Sequence, residues 1–324
     1  MTDLGGFVVH AILIVPALSA ALLALLPDDR ITAWLNAFGA LLTLLCAIGL
    51  FLVRPEPSLF LIVDDVNIVF IVLTTFVGFT TSVFSATYVA HELETGRLSA
   101  AYLRFYHAMY QTLMYAMNLA LLANNVGLMW VAIELATLTT VLMVGIYRTH
   151  EALEAAWKYF ILGSVGIALA LFGTILVYLA SSSVLGEGLE AMAWSVLVQR
   201  ASAFDPALLN LAFVFLLLGY GTKVGLVPLH AWLPDAHAEG PTPISAVLSG
   251  LLLNVALFAV LRFKMVMSAN ERALAPGPLM VTLGLLSVVF ASFMLYRRHD
   301  IKRMFAYSSI EHMGIISFAF GMGG

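Results

Sequence analysis

Charge is scarce in this chain: of 324 residues only 10% are Asp, Glu, Lys or Arg, whereas 62% are hydrophobic and the mean hydropathy is +0.99. Soluble domains carry about a quarter charged residues, so a soluble globular fold is excluded. Cysteine is nearly absent too. The single Cys46 rules out a protein-supplied disulfide framework, an iron–sulfur cluster and a Cys-rich zinc site, and its apolar surroundings predict a buried packing residue. The formal net charge is -4 and no Lys/Arg run is long enough to track a phosphate backbone, so nucleic acid is not an expected partner. Gly219, Gly221 and Lys223 lack the spacing of a phosphate-binding loop and follow no strand, so no nucleotide cofactor is expected.

What the chain has instead is long apolar runs. Polar or Pro/Gly breaks divide them into about ten spans, at 7–26, 31–53, 66–90, 106–123, 126–147, 157–180, 207–229, 243–263, 278–296 and 304–321. The predicted fold class is therefore all-α, a polytopic transmembrane helix bundle lying in a lipid bilayer. The first segment, Phe7 to Leu26, has Asp3 in front of it rather than Lys or Arg, and it is long enough to span, so it reads as a helix and not a signal peptide. Turns or loop ends are expected at Pro27-Asp28-Asp29, Asp64-Asp65 and Asn124-Asn125, and a short interfacial helix at Met192 to Val198.

Orientation follows from Lys and Arg in the loops. With the N-terminus outside, inner loops collect Arg30, Arg97, Arg104, Arg148, Arg297, Arg298, Lys302 and Arg303, against Arg54, Arg200, Arg262, Lys264 and Arg272 outside. The expected location is the bacterial cytoplasmic (inner) membrane with the N-terminus outside. The last span runs into Phe318 to Gly324 with no charged or aromatic anchor beyond it. A spanning helix normally has such flanks, so the expectation is a chain truncated at this end.

Glu134 and Lys223 sit inside apolar stretches, where a charge costs about 2.5–3.5 kcal/mol at a helix centre, so each is expected to face a partner or a hydrated path. Lys223 opens the segment Gly221 to His237, in which Pro228 and Pro234 interrupt a helix at membrane depth. The backbone groups so freed need a protein or water-lined cavity, the arrangement that marks ion paths in transporters. His230 and His237 are seven apart, but Pro234 lies between them and no third ligand has a recognisable spacing, so they are assigned to hydrogen bonding or proton relay and no metal is expected. Lys158 reads equally as a snorkelling anchor or a functional group. Glu311 and His312 carry polarity into the tenth span.

Together these segments resemble the antiporter-like membrane subunits of respiratory complex I, of multisubunit cation/proton antiporters and of membrane-bound hydrogenases, over most of residues 66–324. Glu151 to Tyr159 and Ser308 to Gly314 look most like component F of hydrogenase-4. The resemblance implies inverted five-helix repeats, each with a broken helix: N-terminal helices over 1–105, a first repeat over 106–265 and the start of an incomplete second over 266–324. It also implies that Glu134 and Lys223 match the family's charged pair, Lys158 a nearby modulating lysine, and His312 a polar residue on the exit side. One departure stands out. Where related subunits carry a lysine or histidine in the eighth span, this chain has Asn254, which cannot hold a titratable proton but can orient water.

The expected function is that of a proton-translocating, non-redox membrane subunit of a hydrogenase-type respiratory complex, without catalytic residues or cofactors of its own. Its implied partners are other membrane subunits, a soluble redox arm carrying nickel–iron and iron–sulfur centres, and protons. Three alternatives stay open: a cation/proton antiporter subunit, a structural anchor without ion flux, and a subunit of an inorganic-carbon uptake complex.

Overall fold

The computed structural model describes residues 2–26, 30–296 and 300–323. The expected turn at Pro27-Asp28-Asp29, the side chains of Asp3 and Arg30, and the Arg297-Arg298 part of the basic cluster lie outside the described residues. Ten long helical segments follow one another where ten spans were expected: α1 (Thr2–Leu25), α2 (Arg30–Gly49), α3 (Asp65–Glu94), α4 (Ala100–Leu122), α5 (Val126–Val144), α6 (His150–Leu185), α8 (Pro206–Val224), the joined run through α10 (Thr242–Val247) and α11 (Leu253–Ser268), α12 (Gly277–Leu295) and α13 (Ile301–Met322). Among the described residues, eight of these are long and apolar enough to cross a membrane by length and composition. The other two, α4 and α13, are diluted by His107, Gln111 and Asn118 in the first and by Lys302, Arg303, Glu311 and His312 in the second. Among the described residues the shorter elements are the α-helices α7 (Trp194–Arg200), close to the expected interfacial stretch, and α9 (Leu233–Glu239), with 3-10 turns at Glu190–Met192 and Ala201–Ala203 flanking α7.

The helix starts follow from local chemistry. Asp64 caps α3, its carboxylate accepting from the Val66 and Asn67 amides while Asn67 reaches back to the Asp64 amide. Asn125 caps α5, Thr149 caps α6, and Asp300 caps α13. The polar doublets read as loop ends are thus helix caps.

Packing is pairwise and close. α1 rests on α4 and α2, α2 on α3, α6 on α8, α8 on α11, and α12 on α13. Without a hydrophobic drive between helices in lipid, small residues set the approach. Gly219 of α8 shows how tightly: a methyl there would lie 2.5 Å from the Ala170 amide nitrogen of α6. Large apolar side chains such as Phe7, Leu18, Trp157 and Phe293 point outward, as expected of lipid-facing surfaces. Cys46 is half-buried, packed against the core instead of fully enclosed.

Between α10 and α11 the eighth span contains a π-helical turn, Leu248–Leu252. Apolar periodicity carries no signal for it. Such turns insert one residue and re-aim the helix face that follows, often next to a functional site.

Candidate functional site

α8 ends at Val224 because Gly225 adopts φ +80°, a left-handed conformation open to glycine without strain. The chain then runs through a turn containing the cis Val227–Pro228 bond and resumes as α9 at Leu233. Several of the freed backbone groups find partners inside the protein. The Leu226 amide donates to Gly221 O and the Leu229 amide to Leu226 O. The Val227 amide donates to Ser287 Oγ of α12 at 2.9 Å, and Trp232 Nε1 donates to Thr222 O at 2.8 Å. The break thus lies at Gly225 to Trp232, with Pro228 inside it. Pro234 does not interrupt a helix as expected from sequence. It falls in the first turn of α9, where a missing amide proton costs nothing, so it starts the second half-helix.

Lys223, in the last turn of α8, is fully buried. Its Nζ donates to Thr137 Oγ1 of α5 at 2.8 Å, and that hydroxyl donates to Ile133 O. Glu134 stands one turn before Thr137 on the same helix, half-buried, its Oε2 without a hydrogen-bond partner. Among the described residues Lys223 and Glu134 make no ion pair within 4.0 Å; Thr137 holds the ammonium instead. Two further elements shape the pocket. Gly163 of α6 leaves room for the ammonium, since a methyl there would lie 2.8 Å from Nζ. The Tyr159 ring centroid lies 5.7 Å from Nζ, and the same ring stacks on Trp232 at 4.3 Å, with its hydroxyl on Thr140 at 2.8 Å. Trp232 therefore ties the broken segment to the lysine pocket through one aromatic pair.

The remaining expected residues divide between several places. Lys158 does not join Glu134; it pairs with Glu154 at 2.7 Å and with Asp235 of α9 at 3.0 Å, half-exposed. Asp235 also pairs with Arg303 of α13 at 3.2 Å, and Arg303 with Glu239 at 3.7 Å. His230 turns its ring edge-on to Phe290, centroids 4.5 Å apart, with Nδ1 buried and unpartnered. His237 lines a different space, a 540 Å³ cavity between α9, α10 and α13 that Lys302, Ser249, Ser309 and His312 also line. Ser249 and Ser309 are bonded across it at 2.7 Å, and Lys302 Nζ donates to Gly240 O at 2.8 Å. Asn254 donates to Gly250 O of its own helix at 2.6 Å, using its amide on the π turn. Glu311 is half-buried on α13 and does not line the cavity. His237 and His312 thus line one cavity, whereas Lys223, His230 and Asn254 are not among its lining residues.

Thr137, Gly163, Tyr159 and Trp232 were not legible as site residues. Asp235 and Lys302 carried a signal as charges flanking apolar spans, but Lys302 counted only toward orientation. The Arg262–Asp64 pair was missed as well. Arg262, 2% exposed, reaches Asp64 at 2.5 Å and lies between the rings of Trp194 and Phe258, 3.8 and 4.6 Å from their centroids.

A family model described as NADH:quinone oxidoreductase/Mrp antiporter, TM, matches residues 123–324. A hydrogenase-4 component F homolog of Methylacidiphilum infernorum is 62% identical over 314 residues, covering 97% of this chain and 66% of that protein. A chain of the membrane-bound sulfane sulfur reductase, an archaeal respiratory membrane complex, superposes with TM-score 0.84 at 22% identity, covering 97% of this chain and 64% of that one, a likeness of fold alone. A chain of respiratory complex I from Thermus thermophilus superposes with TM-score 0.75 at 26% identity, covering 97% of this chain and 65% of that one. The chain spans just under two thirds of the length of each.

Proposed function

This chain belongs to the NADH:quinone oxidoreductase/Mrp antiporter transmembrane family, and from that premise we propose that it is a proton-translocating, non-redox membrane subunit of a hydrogenase-type respiratory complex. The observation that carries the reading is the placement of Lys223. A fully buried amine sits at the mouth of a helix break, on a single hydroxyl, one helical turn from a half-buried carboxylate with an unpartnered oxygen. Such an amine has two stable neighbours to choose between, Thr137 and Glu134, and its attraction to each differs with its charge. A shift of Glu134 or of the broken segment would change how firmly Lys223 keeps a proton. Moving one charge through 100 mV takes about 2.3 kcal/mol, within reach of a pKa change of two units at about 1.4 kcal/mol each.

In this reading the His237–His312 cavity is the next polar station, and Lys302 and Arg303 anchor the start of α13 beside it. Residues 1–105 form an N-terminal helical unit, 106–265 a first repeat and 266–324 the opening of a second. The protein lies in the bacterial inner membrane with its N-terminus outside, beside other membrane subunits and a soluble arm that carries the nickel–iron and iron–sulfur centres.

The test is Lys223→Ala in the assembled complex, with vesicle acidification and hydrogen evolution measured at matched assembly. Acidification should fall to background while hydrogen evolution by the detached soluble arm persists. Unchanged acidification would defeat the proton reading and leave a structural anchor.

A further inference from the structure

α4 carries a second line of buried polarity that the Lys223 site does not use. His107, Gln111 and Asn118 lie four and seven residues apart, which places them on one face of the helix over about 16 Å. All three are completely buried, as is Asn36 of α2, which accepts from Gln111 Nε2 at 2.8 Å through its side chain and at 2.9 Å through its carbonyl. Around them six side-chain atoms have no partner: both ring nitrogens of His107, both amide atoms of Asn118, Gln111 Oε1 and Asn36 Nδ2. Gly39 keeps the crossing with α1 narrow, because a methyl there would lie 2.5 Å from Ser19 Oγ and 3.5 Å from Gln111 Nε2.

Buried polar atoms in lipid must find partners within the bundle, and six left dry would cost an amount comparable with the net stability of a folded domain. Helix packing alone does not explain the line, since polar side chains that fasten helices together do so by bonding across them, as Gln111 does to Asn36, whereas His107 and Asn118 bond to nothing. Bound water satisfies such groups with two to four hydrogen bonds each. We propose that the α1–α2–α4 crossing binds an internal chain of water held by His107, Gln111, Asn118 and Asn36, and that His107 exchanges protons with it. A neutral imidazole accepts a proton at one ring nitrogen and releases one from the other, so the exchange leaves its net charge unchanged. Gln and Asn do not titrate and serve to hold the water. Every residue of this line precedes the segment matched by the family model, and none belongs to the Lys223 pocket.

The test uses the full chain in its native membrane with Cys46→Ala as background. Single cysteines replace His107, Gln111 and Asn118, and, as dry controls, Leu113 and Met117, which are equally buried on the same helix. A small charged thiol reagent should modify the first three at least tenfold faster than the two controls. Equal, slow rates at all five would overturn the hydrated site. Independently, the infrared difference between wild type and His107→Gln in D2O should show the imidazole band shifted within minutes. A band unshifted after hours would overturn proton exchange at His107, whatever Lys223→Ala does.

Discussion

Gly163 offers a way to move the Lys223 ammonium without touching either charged residue. An alanine there would put its methyl carbon 2.8 Å from Nζ, where ordinary contact begins at 3.4 Å, so the ammonium must retreat by about 0.6 Å. The nearest backbone is farther away, and the atom met is the far end of a flexible side chain, so the α6–α8 packing is preserved and the charge moves instead. Retreat directed away from Thr137 stretches a 2.8 Å bond to about 3.4 Å, at the limit of hydrogen bonding. A buried hydrogen bond of this kind contributes about 1–3 kcal/mol, equivalent to a roughly 5- to 150-fold change in the population of the Thr137-bound lysine. The assay is redox-driven acidification of inverted membrane vesicles, normalised to assembled complex, with hydrogen evolution followed in parallel. Gly163→Ala should lower acidification by at least fivefold at unchanged assembly. Wild-type acidification in that variant would refute the idea that the Lys223–Thr137 geometry sets proton movement.

How far the sequence foretold the site depends on whether a residue's role is written in its own chemistry. Glu134 and Lys223 stood out because an ionisable group in an apolar span carries a penalty that must be met somewhere. Thr137 and Gly163 carry no such penalty. Threonine back-bonds its own helix and glycine packs helices closely throughout membrane bundles, so only the fold reveals that these two hold and accommodate one ammonium. Two helix starts were legible for a similar reason, since Asp64 and Asn125 cap by their own side chains, whereas the starts of α6 at Thr149 and α13 at Asp300 lie ahead of the expected spans. Pro234 misled because proline breaks a helix only from inside it, and the chain had already left the helix at Gly225. Lys158 was legible as a charge but not as a partner of Asp235, because that pairing depends on how α9 folds back beside α6. The polar face of α4 was not read from the sequence, because three scattered polar residues in a span acquire meaning only when their burial is known.

Three further outcomes follow from the geometry. Asp64→Ala should destabilise the protein by about 3 kcal/mol in denaturation of the purified chain, because it leaves Arg262 buried without its carboxylate and removes the α3 cap; a loss under 1 kcal/mol would mean that Trp194 and Phe258 alone hold the guanidinium. Gly225→Ala should cost about 1–2 kcal/mol from its left-handed φ, and more because its methyl would lie 2.5 Å from Leu233 Cδ1, so assembled complex should fall markedly on native gels. Asp235→Asn separates stability from coupling: its partners Lys158 and Arg303 are half-exposed, so breaking both pairs should change stability by less than about 1 kcal/mol. Because the same carboxylate joins α6, the second half of the broken helix and α13, acidification should nonetheless fall severalfold at normal assembly, and a variant that acidifies like wild type would show that these three helices are tied together by packing and by Lys302 on the α9 carbonyls rather than by the ion-pair network.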